Sequence, residues 1–242
     1  MSRAASPAVE IHGIKKHFGS ATALDGVDLT VSRGEFLSIF GPNGAGKTTL
    51  IRILSTLARP SAGKIRLFGR DLATEGTALR RRIGVVSHKS FLYEALSAYQ
   101  NLSFYARMFD IDNARDRVLE ILQAVRLTHR MHDPVHTFSR GLQQRCAIAR
   151  ALVHHPDLLL LDEPFTGLDP GAADRLSSLL RTLHASSITI VLTSHDLARS
   201  TEMADRFAFL SRGKMIYQGR SEALPDGGIL ALYRSKIAGS RP

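Results

Sequence analysis

Apolar and polar positions alternate with a period of two over residues 9–14 and again over 24–31, the pattern of strands that bury one face. Phe36–Phe40 reads as a strand ending at a glycine, and beyond it the apolar residues of 47–57 recur three and four apart. Strand, loop and helix therefore follow one another. The turn Pro60-Ser61-Ala62-Gly63 then leads into a short strand over 64–68. Residues 98–124 are rich in helix formers at helical spacing, with Asp112 and Asn113 placed to cap a second helix. A helix over 141–154 meets the stop His155-Pro156-Asp157, and the unbroken apolar run 158–161 suits a strand covered on both faces. Two more strands, 187–193 and 206–210, are predicted with helices between them. The pattern predicts an α/β fold: a parallel, helix-covered core from about 8–88 and 156–220, interrupted by a helical insertion at about 89–155, as one domain over 1–242.

Composition changes this picture little. A chain of 242 residues can build a core without staples, and its one cysteine, Cys146, sits in an apolar helical stretch where it packs as a small hydrophobe. No apolar run reaches the ~18 residues of a membrane span, so the chain is not expected to form a pore itself. The formal charge of +10 favours anionic neighbours, but the basic residues are scattered rather than gathered into an arm. His129, His132 and His136 lie in a loop-like stretch without cysteine and are not expected to form a metal site.

The sharpest chemical signal is Gly41-Pro42-Asn43-Gly44-Ala45-Gly46-Lys47-Thr48, followed by Thr49, between the strand and the helix. Glycines let successive backbone N–H groups turn inward as an anion nest, and the helix N-terminus adds its dipole. Lys47 is expected at the β- and γ-phosphates of ATP, and Thr48 on Mg²⁺. Asp162 closes the buried apolar run, where it can hold the ion through its water shell, and Glu163 beside it is the candidate general base.

Between these motifs stands Phe138-Ser139-Arg140-Gly141-Leu142-Gln143-Gln144-Arg145 at the mouth of a helix. It resembles the signature of ABC-transporter nucleotide-binding subunits, and the order of motifs along nearly the whole chain is similar to that family. The resemblance implies a P-loop NTPase fold of the ABC type, with a parallel-sheet core, an antiparallel β subdomain and an inserted helical subdomain. It further implies an ATPase on the cytoplasmic side of a membrane, with ATP and Mg²⁺ bound. Phe18 would stack on adenine, Asp169 would belong to the D-loop, and His195 would be the switch histidine. In that family two copies pair head to tail around ATP, so Ser139 and Gly141 would serve the partner's nucleotide, and a polytopic permease would dock near Phe91 and Tyr93.

Two positions depart from the family pattern. Arg140 replaces the signature's first glycine, and His88 stands where the Q-loop glutamine is usual, as a candidate near Mg²⁺. The wording of these motifs is similar to the ATP-binding subunit of the cytochrome c biogenesis haem exporter, which implies haem handling. The alternative transport reading is another small exporter, for a drug, antibiotic, lipid or polysaccharide. A reading of a different class, an ATPase acting on ribosomes or DNA, finds only one cassette and no sustained heptads. Nucleic acid is therefore not an expected partner.

Overall fold

The computed structural model describes residues 6–87, 90–224 and 228–238. Among these residues ten strands form two sheets: β1 (Val9–Phe18), β2 (Ala21–Val31), β3 (Phe36–Phe40), β4 (Ala62–Leu67), β5 (Arg70–Asp71), β6 (Ile83–Val86), β7 (Leu158–Asp162), β8 (Thr189–Ser194), β9 (Arg206–Ser211) and β10 (Lys214–Arg220). The helices are α1 (Lys47–Leu54), α2 (Leu72–Arg80), α3 (Ala98–Met108), α4 (Ala114–Ala124), α5 (Arg140–Leu152), α6 (Pro170–Ala185), α7 (Leu197–Thr201) and α8 (Gly228–Ala238).

The larger sheet runs β10-β9-β3-β8-β7-β6, and the smaller one β2-β1-β4-β5. In the larger sheet β9, β3, β8, β7 and β6 are parallel, and β10 closes one edge as an antiparallel strand. Strands β3, β7 and β8 are buried along their whole length, which explains why they read as continuous apolar runs rather than alternations. Most of their side chains divide between two cores, while Phe40 packs with Phe207 and Phe209 in a third. Leu159, Leu161, Ile190 and Leu192 face the helices α3 to α6, whereas Leu158, Leu160, Leu37 and Ile39 face α1 and the smaller sheet. The smaller sheet is antiparallel, and its alternating strands bury Val9, Ile11 and Ile14 on one face.

Some expected boundaries move, for local reasons. Helix α1 stops at Leu54 instead of residue 57, because Ser55 caps it and Thr56 turns into the left-handed region at φ 64°. The helical stretch 98–124 breaks at residues 109–113, where Asp110 and Asn113 adopt φ values of 54° and 51°. Asn113 does precede α4, but its side chain makes no capping hydrogen bond, so it starts the helix through its left-handed backbone. The start of α3 is held by the Ser97–Gln100 capping box, a pairing of Ser with Gln three residues on.

Candidate nucleotide site

Three parallel strands deliver the candidate residues to one edge of the sheet. Register places Phe40 beside Ser194 and Asp162 beside Thr193, so the loops after β3, β7 and β8 leave from neighbouring carboxyl ends. In open α/β sheets this is where ligand crevices form.

The loop after β3 needs its glycines for space as well as for torsion. A Cβ on Gly41 would lie 2.2 Å from the Leu210 carbonyl oxygen, and one on Gly46, at φ 107°, would lie 2.5 Å from that of Ala23. Pro42, Asn43 and Gly44 are exposed, Ala45 is buried, and α1 opens at Lys47 with Thr48 and Thr49 in its first turn. The Lys47 ammonium folds back over the loop, donating to the Gly41 carbonyl at 2.6 Å and the Pro42 carbonyl at 3.3 Å. It also lies 3.3 Å from Glu163 Oε1, in a pair whose side chains are only 7% and 11% exposed.

Asp162 is buried at the end of β7. Its Oδ1 accepts hydrogen bonds from Thr193 Oγ1 at 2.7 Å and Thr48 Oγ1 at 3.2 Å, while its Oδ2 is buried without a partner among the described residues. Glu163 adopts a left-handed backbone, φ 52°, which its N–H stabilises by donating to the Thr193 carbonyl at 3.0 Å and to Thr193 Oγ1 at 3.2 Å. This turn aims the side chain between two cations or donors. Oε1 faces Lys47, and Oε2 accepts from the His195 N–H at 3.2 Å and lies 2.7 Å from His195 Nδ1. The His195 ring is largely exposed, so the carboxylate is sheltered and its neighbour reaches solvent.

Lys47, Thr48, Asp162, Glu163 and His195 are thus brought together. Sequence reasoning missed Thr193, which holds both acids from the adjacent strand; its position at the end of an apolar run just before Ser194-His195 is the only signal it gives.

Other candidates lie apart from this cluster. Phe18 ends β1, is 51% exposed, and has the Lys16 ammonium 4.8 Å from its ring centre. Ser139 is the N-cap of α5, its Oγ accepting from Leu142 N at 3.4 Å, and Asp169 caps α6 by accepting from Ala172 N at 2.8 Å. The two caps meet where a Cβ on Gly141 would come 2.9 Å from the Ala172 Cβ. Among the described residues no hydrogen bond joins Ser139 or Gly141 to residues 41–48. His88 lies outside the described residues. Phe91 and Tyr93 are 39% and 51% exposed, and Tyr93 stands edge-on to Phe104 at 5.3 Å. Among the described residues no helix is long and apolar enough to cross a membrane.

Residues 24–166 match the protein family described as "ABC transporter". The daunorubicin resistance ATP-binding protein DrrA3 of Streptomyces coeruleorubidus is 38% identical over 222 residues, 91% of this chain and 70% of that protein. The Nod factor export ATP-binding protein I of Ralstonia nicotianae is 35% identical over 221 residues, 90% of this chain and 69% of that protein. Among solved structures, a dimeric ATP-binding cassette in a post-hydrolysis state, bound to ADP and Pi, superposes with a TM-score of 0.81 at 29% identity, covering 88% of this chain and 98% of that one.

Proposed function

The chain belongs to the ABC transporter family as an ATP-binding, ATP-hydrolysing subunit, and from that premise we propose that it powers export of a drug- or antibiotic-like molecule. The haem-handling expectation gives way here. The relatives named above are a drug-resistance ATPase and a Nod factor export ATPase, which supports the alternative transport reading instead.

The observation that carries the hydrolytic reading is Glu163, held between Lys47 and His195 at the end of a buried strand. In this reading the loop N–H groups and Lys47 grip the triphosphate, with Lys47 exchanging its contacts to two carbonyls for phosphate oxygens. Thr48 and Asp162 fit Mg²⁺: both offer hard oxygen donors, and Asp162 Oδ2 is a buried acceptor without a partner among the described residues. Bound Mg²⁺ supplies charge neutralisation to the β- and γ-phosphates. Glu163 takes a proton from the attacking water as its oxygen bonds to the γ-phosphorus and the bond to the ADP oxygen breaks. His195 positions that carboxylate through its N–H and ring. Phe18 offers an exposed ring to the adenine.

The signature and the D-loop complete the site from a second copy. Ser139 and the first turn of α5 present a hydroxyl and helix N–H groups that suit a γ-phosphate. The dimeric form of the superposed cassette supports this arrangement. In this reading the exposed aromatic groups around Phe91 and Tyr93 receive a membrane permease, and the chain works peripherally at the cytoplasmic face of a membrane.

The test is co-expression with the membrane protein that co-purifies with this chain, in a drug-sensitive host. Resistance to at least one drug class, abolished by Glu163→Gln, is expected. Unchanged susceptibility from an ATP-hydrolysing complex would overturn drug export, and loss of cytochrome c on deletion of the gene would restore haem handling.

A further inference from the structure

The nucleotide site makes no use of Arg150, which is half-buried. It lies at the floor of a groove of about 230 Å³ between the sheet and the helical insertion. One Nη donates to the Val85 carbonyl, and the guanidinium lies 5.4 Å from the Phe91 ring centre and 5.3 Å from that of Tyr105. Its Nε is buried without a hydrogen-bond partner among the described residues.

The groove supplies no counter-charge. Its described lining includes Arg80, Arg150 and His154 but not one carboxylate, and Arg80 is itself committed to Thr56 Oγ1 at 2.9 Å. Burial pulls the Arg150 guanidinium below the ordinary arginine range. A half-buried cation with aromatic walls and a sealed, unfilled Nε donor is costly to maintain unless an anion completes it. Around the mouth Leu57 and Met108 are 52% and 53% exposed, so apolar surface surrounds the charge.

We propose that Arg150 receives a single carboxylate carried by a cytoplasmic loop or helix of the membrane partner. The apolar flank of that segment rests on Leu57, Phe91 and Met108, and its acid reaches the floor between Phe91 and Tyr105. Planar guanidinium and carboxylate pair by parallel hydrogen bonds, so the groove selects an Asp or Glu over an amide of the same shape. The inference rests on the reading that this groove docks a permease, and adds the chemical feature by which the chain chooses its partner.

The experiment uses fluorescent peptides covering each cytoplasmic loop of the membrane protein that co-purifies with the chain. Every peptide containing an acid is also made with Glu→Gln or Asp→Asn. Binding is measured to the wild-type chain, to Arg150→Gln and to Phe91→Asp. One peptide should bind, should weaken at least tenfold when its acid becomes an amide, and should lose that discrimination against Arg150→Gln. Equal binding of acid and amide forms, both weakened by Phe91→Asp, would overturn the carboxylate while leaving the docking groove standing. Binding indifferent to Phe91→Asp would overturn both. Should Arg150→Gln fail to fold, the acid and amide peptides on the wild-type chain decide the matter by themselves.

Discussion

Glu163→Gln retains the size of the side chain and removes its charge and its capacity to accept a proton. The glutamine carbonyl can still accept from the His195 N–H, now 3.2 Å from the carboxylate, so the left-handed turn should persist. With Glu163 as the proposed base, its loss should slow hydrolysis by ~10²–10⁴, or about 3 to 5 kcal/mol of barrier. ATP binding should respond in the opposite sense. Glu163 Oε1 and Lys47 Nζ stand 3.3 Å apart in a sheltered pocket. At an effective dielectric of ~20 their attraction is about 5 kcal/mol before desolvation, which offsets most of it. Lys47 must give up the remainder to turn toward phosphate. Removing the carboxylate should therefore tighten Mg·ATP by about three- to tenfold, roughly 1 kcal/mol. Phosphate release under single-turnover conditions measures the first effect, and titration with a fluorescent ATP analogue the second. Turnover within threefold of wild type would remove Glu163 as the base, and weakened binding would refute the competition for Lys47.

Three further outcomes test the surrounding structure. Burial depresses the His154 imidazole to about 4, and its ring stacks on Phe109 with centroids 4.1 Å apart. The unfolded chain then binds the extra proton first, so stability is full above pH ~6.5 and is lost as pH falls toward 4; urea unfolding should show about 2 kcal/mol less at pH 5 than at pH 7, a slope that His154→Leu reduces. Burial pushes the Cys146 thiol up to about 12, so the native chain at pH 8 should react with iodoacetamide far more slowly than the chain in urea; equal rates would contradict its burial. A Cβ on Gly84 would stand 2.4 Å from the Ala151 carbonyl, so Gly84→Ala should push α5 from β6 and cost ~1–3 kcal/mol, lowering Tm by about 3 to 10 °C, readable by calorimetry.

Much of the site was legible because its chemistry is local. The glycine loop, Lys47, Thr48 and the Asp162-Glu163 pair lie at strand ends marked by apolar runs, and the parallel strands did bring them together. What the residue order conceals is register. Thr193 holds Asp162 and Glu163 only because β7 and β8 pair with Asp162 opposite Thr193, a relation across 31 positions of chain. The same holds for Gly41, whose close neighbour Leu210 arrives from β9. Helix α2, the antiparallel edge β10 and α8 gave weaker patterns: α2 buries only Leu79, and β10 has no fully buried residue. The break after α3 came from left-handed Asp110 and Asn113, where a cap was expected to act through a side chain. Arg150 looked like one more basic residue on a helix; its aromatic walls come from Phe91 and Tyr105 on other segments.

In the proposed dimer, ATP held by residues 41–48 of one copy is sealed by Ser139 of another. Light scattering of Glu163→Gln with and without Mg·ATP tests it directly. The mass should rise from the 26.5 kDa chain to twice that value when nucleotide is added, and Ser139→Arg should prevent the rise while nucleotide binding to the separate chain persists. A mass that does not change with Mg·ATP, or a doubling that survives Ser139→Arg, would contradict it.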